Sequence, residues 1–219
     1  MNRVSSSIHG LDKLLGGGFP ENDVVLLTGG CGTGKTVFGL QYLCFSKEKG
    51  IYISFEDEPE DIRSIAESFG WGAGKLEEKG ALRLVKFDPF QLEDAMDMVR
   101  NNILEMHASH IVIDSISSLG AYVKDVSELR RNVLLVKEIM KKSGCTAVMI
   151  SEAGAGMSRF GIEEYVADDV IVLQKFLRNG DYIKGLSIQK MRGSSHSTSI
   201  HPYNISHKGF EVEQKTLDI

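Results

Sequence analysis

The sequence predicts an α/β fold with a mostly parallel central sheet, helices on both faces and a C-terminal antiparallel extension. Three observations lead there. A glycine-rich stretch, GGCGTGKT, sits between an apolar strand-like run and a helix-like run. Short β-branched runs then alternate with longer amphipathic ones as far as Ser151, the grammar of parallel strands joined by helices. After Glu152 strand-like runs follow one another with no helix between them.

The elements follow in order. Residues 22–28 (NDVVLLT) have the length and β-branched content of a buried strand, and residues 35–46 carry apolar positions at helical spacing. A strand over 50–55, a helix over 59–69, a strand over 81–87 and a helix over 91–106 come next, then a strand over 110–114, a helix over 125–142 and a strand over 145–151. Runs at 169–176, 181–189 and 199–205 form the antiparallel extension, with Asn179-Gly180 as the hairpin turn between the first two. No repeat or Pro/Ser-rich linker divides residues 1–219, which read as one domain.

The spacing of Gly29, Gly34, Lys35 and Thr36 fits G-x-x-x-x-G-K-[ST], in the strand–loop–helix context that motif requires. Backbone N–H groups of Gly30, Gly32, Thr33 and Gly34, at a helix N-terminus, suit an anion. Lys35 adds a full charge and Thr36 a hydroxyl placed for Mg²⁺, so the expected ligand is ATP with its metal. A turn that merely closes a strand–helix unit is the simpler alternative. Asp114 ends an apolar strand (HIVID) and is expected to organise the metal beside the loop, or else to cap the strand end. Glu56, Asp57 and Glu58 gather at the end of another strand, where ligands of open α/β sheets bind. Glu56, nearest the strand end, is the candidate general base; Glu58 suits the acidic first turn of the next helix. Lys190, Arg192 and His196 share one short turn, which is either a solvated surface or part of a site.

Composition bounds the function. With 42% hydrophobic and 25% charged residues the chain reads as globular, and neither a membrane-spanning run nor a leader pattern is visible, so a cytoplasmic location without membrane insertion is expected. A formal net charge of −5 argues against bulk capture of nucleic acid. Three scattered cysteines support neither a disulfide framework nor a zinc site; Cys44 and Cys145 lie in apolar runs. Cys31, inside the loop, is either reactive or a small residue that fits.

SIHGLDKLLGGGFP, GGCGTGKT, ISFEDEPEDI with SFGW, VIDSISSL, SRFGIEEYVADDVIVL and KMRGSSH, in this order, resemble a single domain of the KaiC branch of the RecA-like ATPases. The resemblance covers nearly the whole chain. It implies a RecA-like P-loop fold and a homo-oligomer, a ring hexamer with ATP between neighbouring subunits. It further implies that Lys35 and Thr36 hold phosphates and Mg²⁺, that Asp114 supports the metal, and that Glu56 with Asp57 supply the catalytic acids. Lys190, Arg192 and His196 would then reach the nucleotide of the adjacent subunit, with Arg192 acting in catalysis. Ser68 would lie near the base or ribose, or is an ordinary serine at a helix end. The family's second acid is commonly glutamate, and here it is Asp57.

The function expected is an ATPase whose nucleotide state regulates ring assembly or binding of a protein partner. Rival readings are a RecA/RadA-like DNA-binding ATPase, a non-enzymatic nucleotide-binding module and an autophosphorylating kinase. The first needs a basic mobile loop, and residues 152–161 carry only Arg159.

Overall fold

The computed structural model describes residues 2–88, 92–121, 123, 125–154 and 156–217. An N-terminal strap holds β1 (Arg3–Val4), α1 (Leu11–Leu14) and β2 (Phe19–Pro20). The core alternates β3 (Val24–Gly29), α2 (Lys35–Cys44), β4 (Gly50–Ser54), α3 (Pro59–Ser68), α4 (Ala73–Glu78), β5 (Leu82–Lys86), α5 (Leu92–Met106) and β6 (His110–Asp114). A 3-10 segment (Ile116–Ala121), α6 (Val126–Lys142), β7 (Thr146–Glu152) and α7 (Glu163–Val166) follow, and β8 (Asp169–Arg178), β9 (Asp181–Met191), β10 (Ile200–Ser206) and β11 (Gly209–Val212) finish the chain. The helix expected over 91–106 begins at Leu92, since Gln91 lies outside the described residues.

Among the described residues nine strands form one sheet in the order β11, β10, β9, β8, β3, β7, β6, β4, β5. Strict two-residue alternation divides its side chains between two cores. Val24 and Leu26 of β3, with Ile111 and Ile113 of β6, pack under α5 and α6. Val25 and Leu27, with Tyr52 and Val112, pack under α1, α2 and α3. Both faces are covered, which is why β3, β4 and most of β6 and β7 are continuously apolar rather than alternating.

One expectation needs correction. The sequence places the run at 169–176 in the antiparallel extension, but β8 pairs parallel with β3 and antiparallel with β9. It is the last parallel strand and the first of the extension, because the short α7 segment and its flanking loop bring the chain back to the edge where β3 begins. Sequence reading also passed over α1, α4, α7, the small β1–β2 sheet and β11.

From β3 the chain crosses to β4, moves out to β5, then returns through β6 and β7 to β8 on the far side of β3. This reversal opens a crevice at the C-terminal strand ends. Register aligns Gly29 with Glu152 and Ser54 with Asp114 along that edge. At the opposite edge Val25 aligns with Asp169, and Asp169 with Met191. Because β9 runs against β8, its exit at Met191 lies about 13 Å of strand from Gly29.

A charge network closes this second edge. Asp168 accepts from Lys137 Nζ at 2.6 Å and from the Val24 N–H at 3.2 Å, and pairs with Lys141 at 2.9 Å. Asp169 beside it is 1% exposed; its Oδ1 accepts from the Arg192 N–H at 3.2 Å, while among the described residues Oδ2 has no partner. Burial, then the nearby Asp23 carboxylate, push its pKa up to about 7. A raised folded-state pKa makes the protonated form the stabilising one, fully below the ordinary carboxylate range and lost as pH rises through about 7. Asp169→Asn should therefore flatten the pH dependence of stability. By calorimetry the wild-type melting midpoint should fall between pH 5 and pH 8, relative to the variant, by an amount equivalent to about 1–3 kcal/mol. Parallel profiles would contradict this ionisation.

Candidate nucleotide site

β3 delivers the chain to Gly29 and α2 takes it up at Lys35, with Gly34 as the N-cap. The turn between them must reverse within a few residues, and Gly32 and Gly34 adopt φ of 68° and 94° to do so. A Cβ on Gly34 would stand 2.1 Å from Cδ1 of Ile205, whereas one on Gly30 would meet nothing within 4 Å. Among the described residues, no protein acceptor takes a hydrogen bond from the N–H groups of residues 30–34. The loop's carbonyls, by contrast, are tied back: Thr33 Oγ1 donates to Gly30 O at 2.8 Å and Tyr203 OH donates to Thr33 O at 2.8 Å. Unpaired amides at a helix N-terminus fit a polyphosphate.

Lys35 Nζ donates to Gly29 O at 2.9 Å and Gly30 O at 3.2 Å, keeping its charge over the loop. Burial pushes its pKa below the ordinary lysine value, opposed by Asp114 and Glu152. Thr36 Oγ1 donates to Asp114 Oδ2 at 2.9 Å, and Tyr52 OH donates to the same oxygen at 2.5 Å. Burial raises the Asp114 pKa, and these two hydrogen bonds hold it down. A hydroxyl beside a carboxylate is a hard-oxygen pair suited to Mg²⁺, which keeps waters and phosphate oxygens as its other ligands. Among the described residues no group of three or more His, Cys, Asp or Glu could hold a metal by itself.

Glu56 and Asp57 follow β4, and their N–H groups donate to Ser54 Oγ at 3.1 Å and 2.8 Å. Ser118, on the 3-10 segment after β6, donates to Glu56 Oε1 at 2.6 Å. The carboxylate of Glu56 is thus oriented from a neighbouring element. Glu58 is the N-cap of α3 and pairs with Lys86 at 2.5 Å, a structural use. Sequence reading missed Tyr52, Ser54 and Ser118. Only the hydroxyl in an otherwise apolar strand (GIYIS) marked the first, and register with β6 decides its partner.

The structure brings Lys35, Thr36, Asp114, Glu56 and Asp57 to one edge of the sheet. Lys190, Arg192 and His196 lie at the other, beyond reach of that loop within one chain. Lys190 Nζ donates to the carbonyls of Glu164 and Ala167, Arg192 Nη1 is 3.8 Å from Asp168 and half exposed, and the buried Nδ1 of His196 has no partner among the described residues. Ser68 ends α3, about 15 Å along the helix from Glu58, and its hydroxyl donates to Ile65 O at 2.7 Å. Cys31 is exposed, Cys145 buried and Cys44 partly buried.

A family model described as "ATPase: KaiC" matches residues 4–216. A UPF0273 protein of Pyrococcus horikoshii is 34% identical over 96% of this chain and 93% of its own length. The circadian clock oscillator protein KaiC of Synechococcus elongatus is 31% identical over 96% of this chain, which spans 44% of that protein. The crystal structure of a KaiC-like protein from Pyrococcus horikoshii superposes with a TM-score of 0.91 at 35% identity, covering 97% of this chain and 99% of the other.

The two loop glycines should separate in stability. Gly34→Ala meets both a positive φ and Ile205, and should lower unfolding free energy by about 1–3 kcal/mol in urea titration. Gly30→Ala should stay within about 0.5 kcal/mol. Equal effects would show that the loop does not depend on Gly34.

Proposed function

Because the chain belongs to the KaiC family of ATPases, we propose that residues 1–219 act as one ATPase domain, hydrolysing ATP held between copies of the chain in a ring. The observation that carries the hydrolytic reading is the set Lys35, Thr36, Asp114 and Glu56 at a single sheet edge. The loop amides and Lys35 bind the polyphosphate, and Thr36 with Asp114 hold Mg²⁺. When bound, Mg²⁺ neutralises phosphate charge and orients the terminal phosphoryl group. Glu56, oriented by Ser118, accepts the proton of the attacking water. Asp57 stands beside it as the second acid, and Ser68 is the candidate contact to base or ribose.

The interface reading is supported by the opposite placement of Lys190, Arg192 and His196. An exposed guanidinium with one long ion pair, far from its own loop, can complete a neighbour's site as an arginine finger. Nucleic-acid binding draws no support from the loop after β7, where Arg159 is paired with Glu152 at 2.8 Å. Among the described residues no helix is long and apolar enough to cross a membrane. A ring that changes with nucleotide state fits a regulatory role, with a hexamer and an unidentified protein partner as its expected forms.

Glu56→Gln should leave ATP binding intact in calorimetry and slow phosphate release by on the order of 10². Full activity would remove Glu56 as the base. Arg192→Ala should lose about 10³ in rate while still binding ATP, and Lys35→Ala should lose binding. Mixing these two inactive proteins should restore activity, since one interface then pairs an intact loop with an intact Arg192. A mixture no better than its components, with mixed rings demonstrated, would contradict the shared site.

A further inference from the structure

The ribbon formed by β8 and β9 continues past the C-terminal edge of the sheet, because Leu173 is the last β8 residue aligned with β3 while pairing with β9 runs on to Arg178 and Asp181. On that overhang Lys175 stands directly opposite Lys184. Both share the face of Leu173 and Leu186, which are buried in the core beneath α2, so the two ammonium groups lie on the side of the sheet that carries the phosphate loop. Lys175 Nζ donates to Cys31 O at 2.9 Å and would stand 3.0 Å from a Cβ on Gly32, which places it at the loop's apex. Among the described residues neither lysine has a carboxylate partner, and the Lys184 ammonium makes no hydrogen bond. Two like charges directly across a strand pair disfavour the ribbon unless an anion lies between them. Lys35 adds a third cation, held over the loop by the carbonyls of Gly29 and Gly30.

We propose that Lys175 and Lys184 form a second cationic arm of the site, closing on the outer phosphates of a nucleoside triphosphate from the side opposite Lys35. The inference rests on the nucleotide reading of the loop. The chemistry it recognises is the polyphosphate rather than the base, so inorganic tripolyphosphate should use the arm as ATP does, and ADP should use it less. In the free chain Lys175 is held by Cys31 O, a neutral acceptor that a phosphate oxygen can replace with a charge-assisted bond.

The test is calorimetric titration of the full chain with MgATP, MgADP and tripolyphosphate at two ionic strengths, for the wild type, Lys175→Met, Lys184→Met and the double variant. Each single change should weaken MgATP and tripolyphosphate by roughly three- to tenfold, the double by more, and MgADP by less. The salt dependence of binding should become shallower, and melting midpoints without ligand should stay level or rise as the repulsion disappears. Unchanged affinities in the double variant would overturn the arm while leaving the loop's nucleotide role intact. Equal losses for all three ligands, with an unaltered salt dependence and lower melting midpoints, would also overturn it, by making the lysines props of the loop. A wild-type chain that binds none of the three ligands would overturn the nucleotide reading itself.

Discussion

A strand that joins a parallel sheet antiparallel must end at the edge where its neighbours begin, and much of this molecule's chemistry follows from that constraint. β9 pairs backwards along β8, so residues that follow Met191 emerge beside Asp169, while the phosphate loop emerges beside Leu173 and Glu152. Within one chain about four strand residues of buried sheet separate the edge that carries Arg192 from the edge that carries Lys35. On the proposed reading, in which the two charged clusters complete each other between copies, head-to-tail association with a rotation that closes would give a ring.

Each edge also carries its own electrostatic imbalance. The loop edge gathers unpaired amides with Lys35 and Lys175 around the phosphate loop, and sets Asp114, Glu56 and Asp57 on the neighbouring strand ends. At the other edge three buried or nearly buried aspartates, Asp23, Asp168 and Asp169, meet Lys137, Lys141 and Arg192. Among the described residues one oxygen of Asp169 is unpaired, while the other accepts from the N–H of Arg192. Arg192 is tethered through its backbone to Asp169, and its half-exposed side chain makes one long ion pair, with Asp168 at 3.8 Å.

The parallel core was legible because fully buried strands leave continuous apolar runs and their helices leave periodic ones, and the phosphate loop because its glycines and Lys-Thr pair have fixed spacing. Lys35, Thr36, Asp114 and Glu56 fell together because the ends of parallel strands converge wherever the strand order reverses. What escaped depends on distant partners. Gln41 both donates to Phe210 O at 3.0 Å and accepts from the Phe210 N–H at 2.6 Å, fastening β11 to α2; a four-residue run near the C-terminus gives no such sign. Ser118 and Tyr52 act through side-chain partners 62 positions away. The parallel pairing of β8 escaped for a related reason, since its connection from β7 lacks the long helix that normally announces a crossover.

The central claim, that one chain holds only half of a working site, is tested most directly by ATP turnover per chain as a function of protein concentration, with mass measured by light scattering in the same samples. Turnover per chain should rise steeply as monomers give way to rings and then stay constant. Turnover per chain that remains level down to concentrations at which only monomer scatters would contradict it.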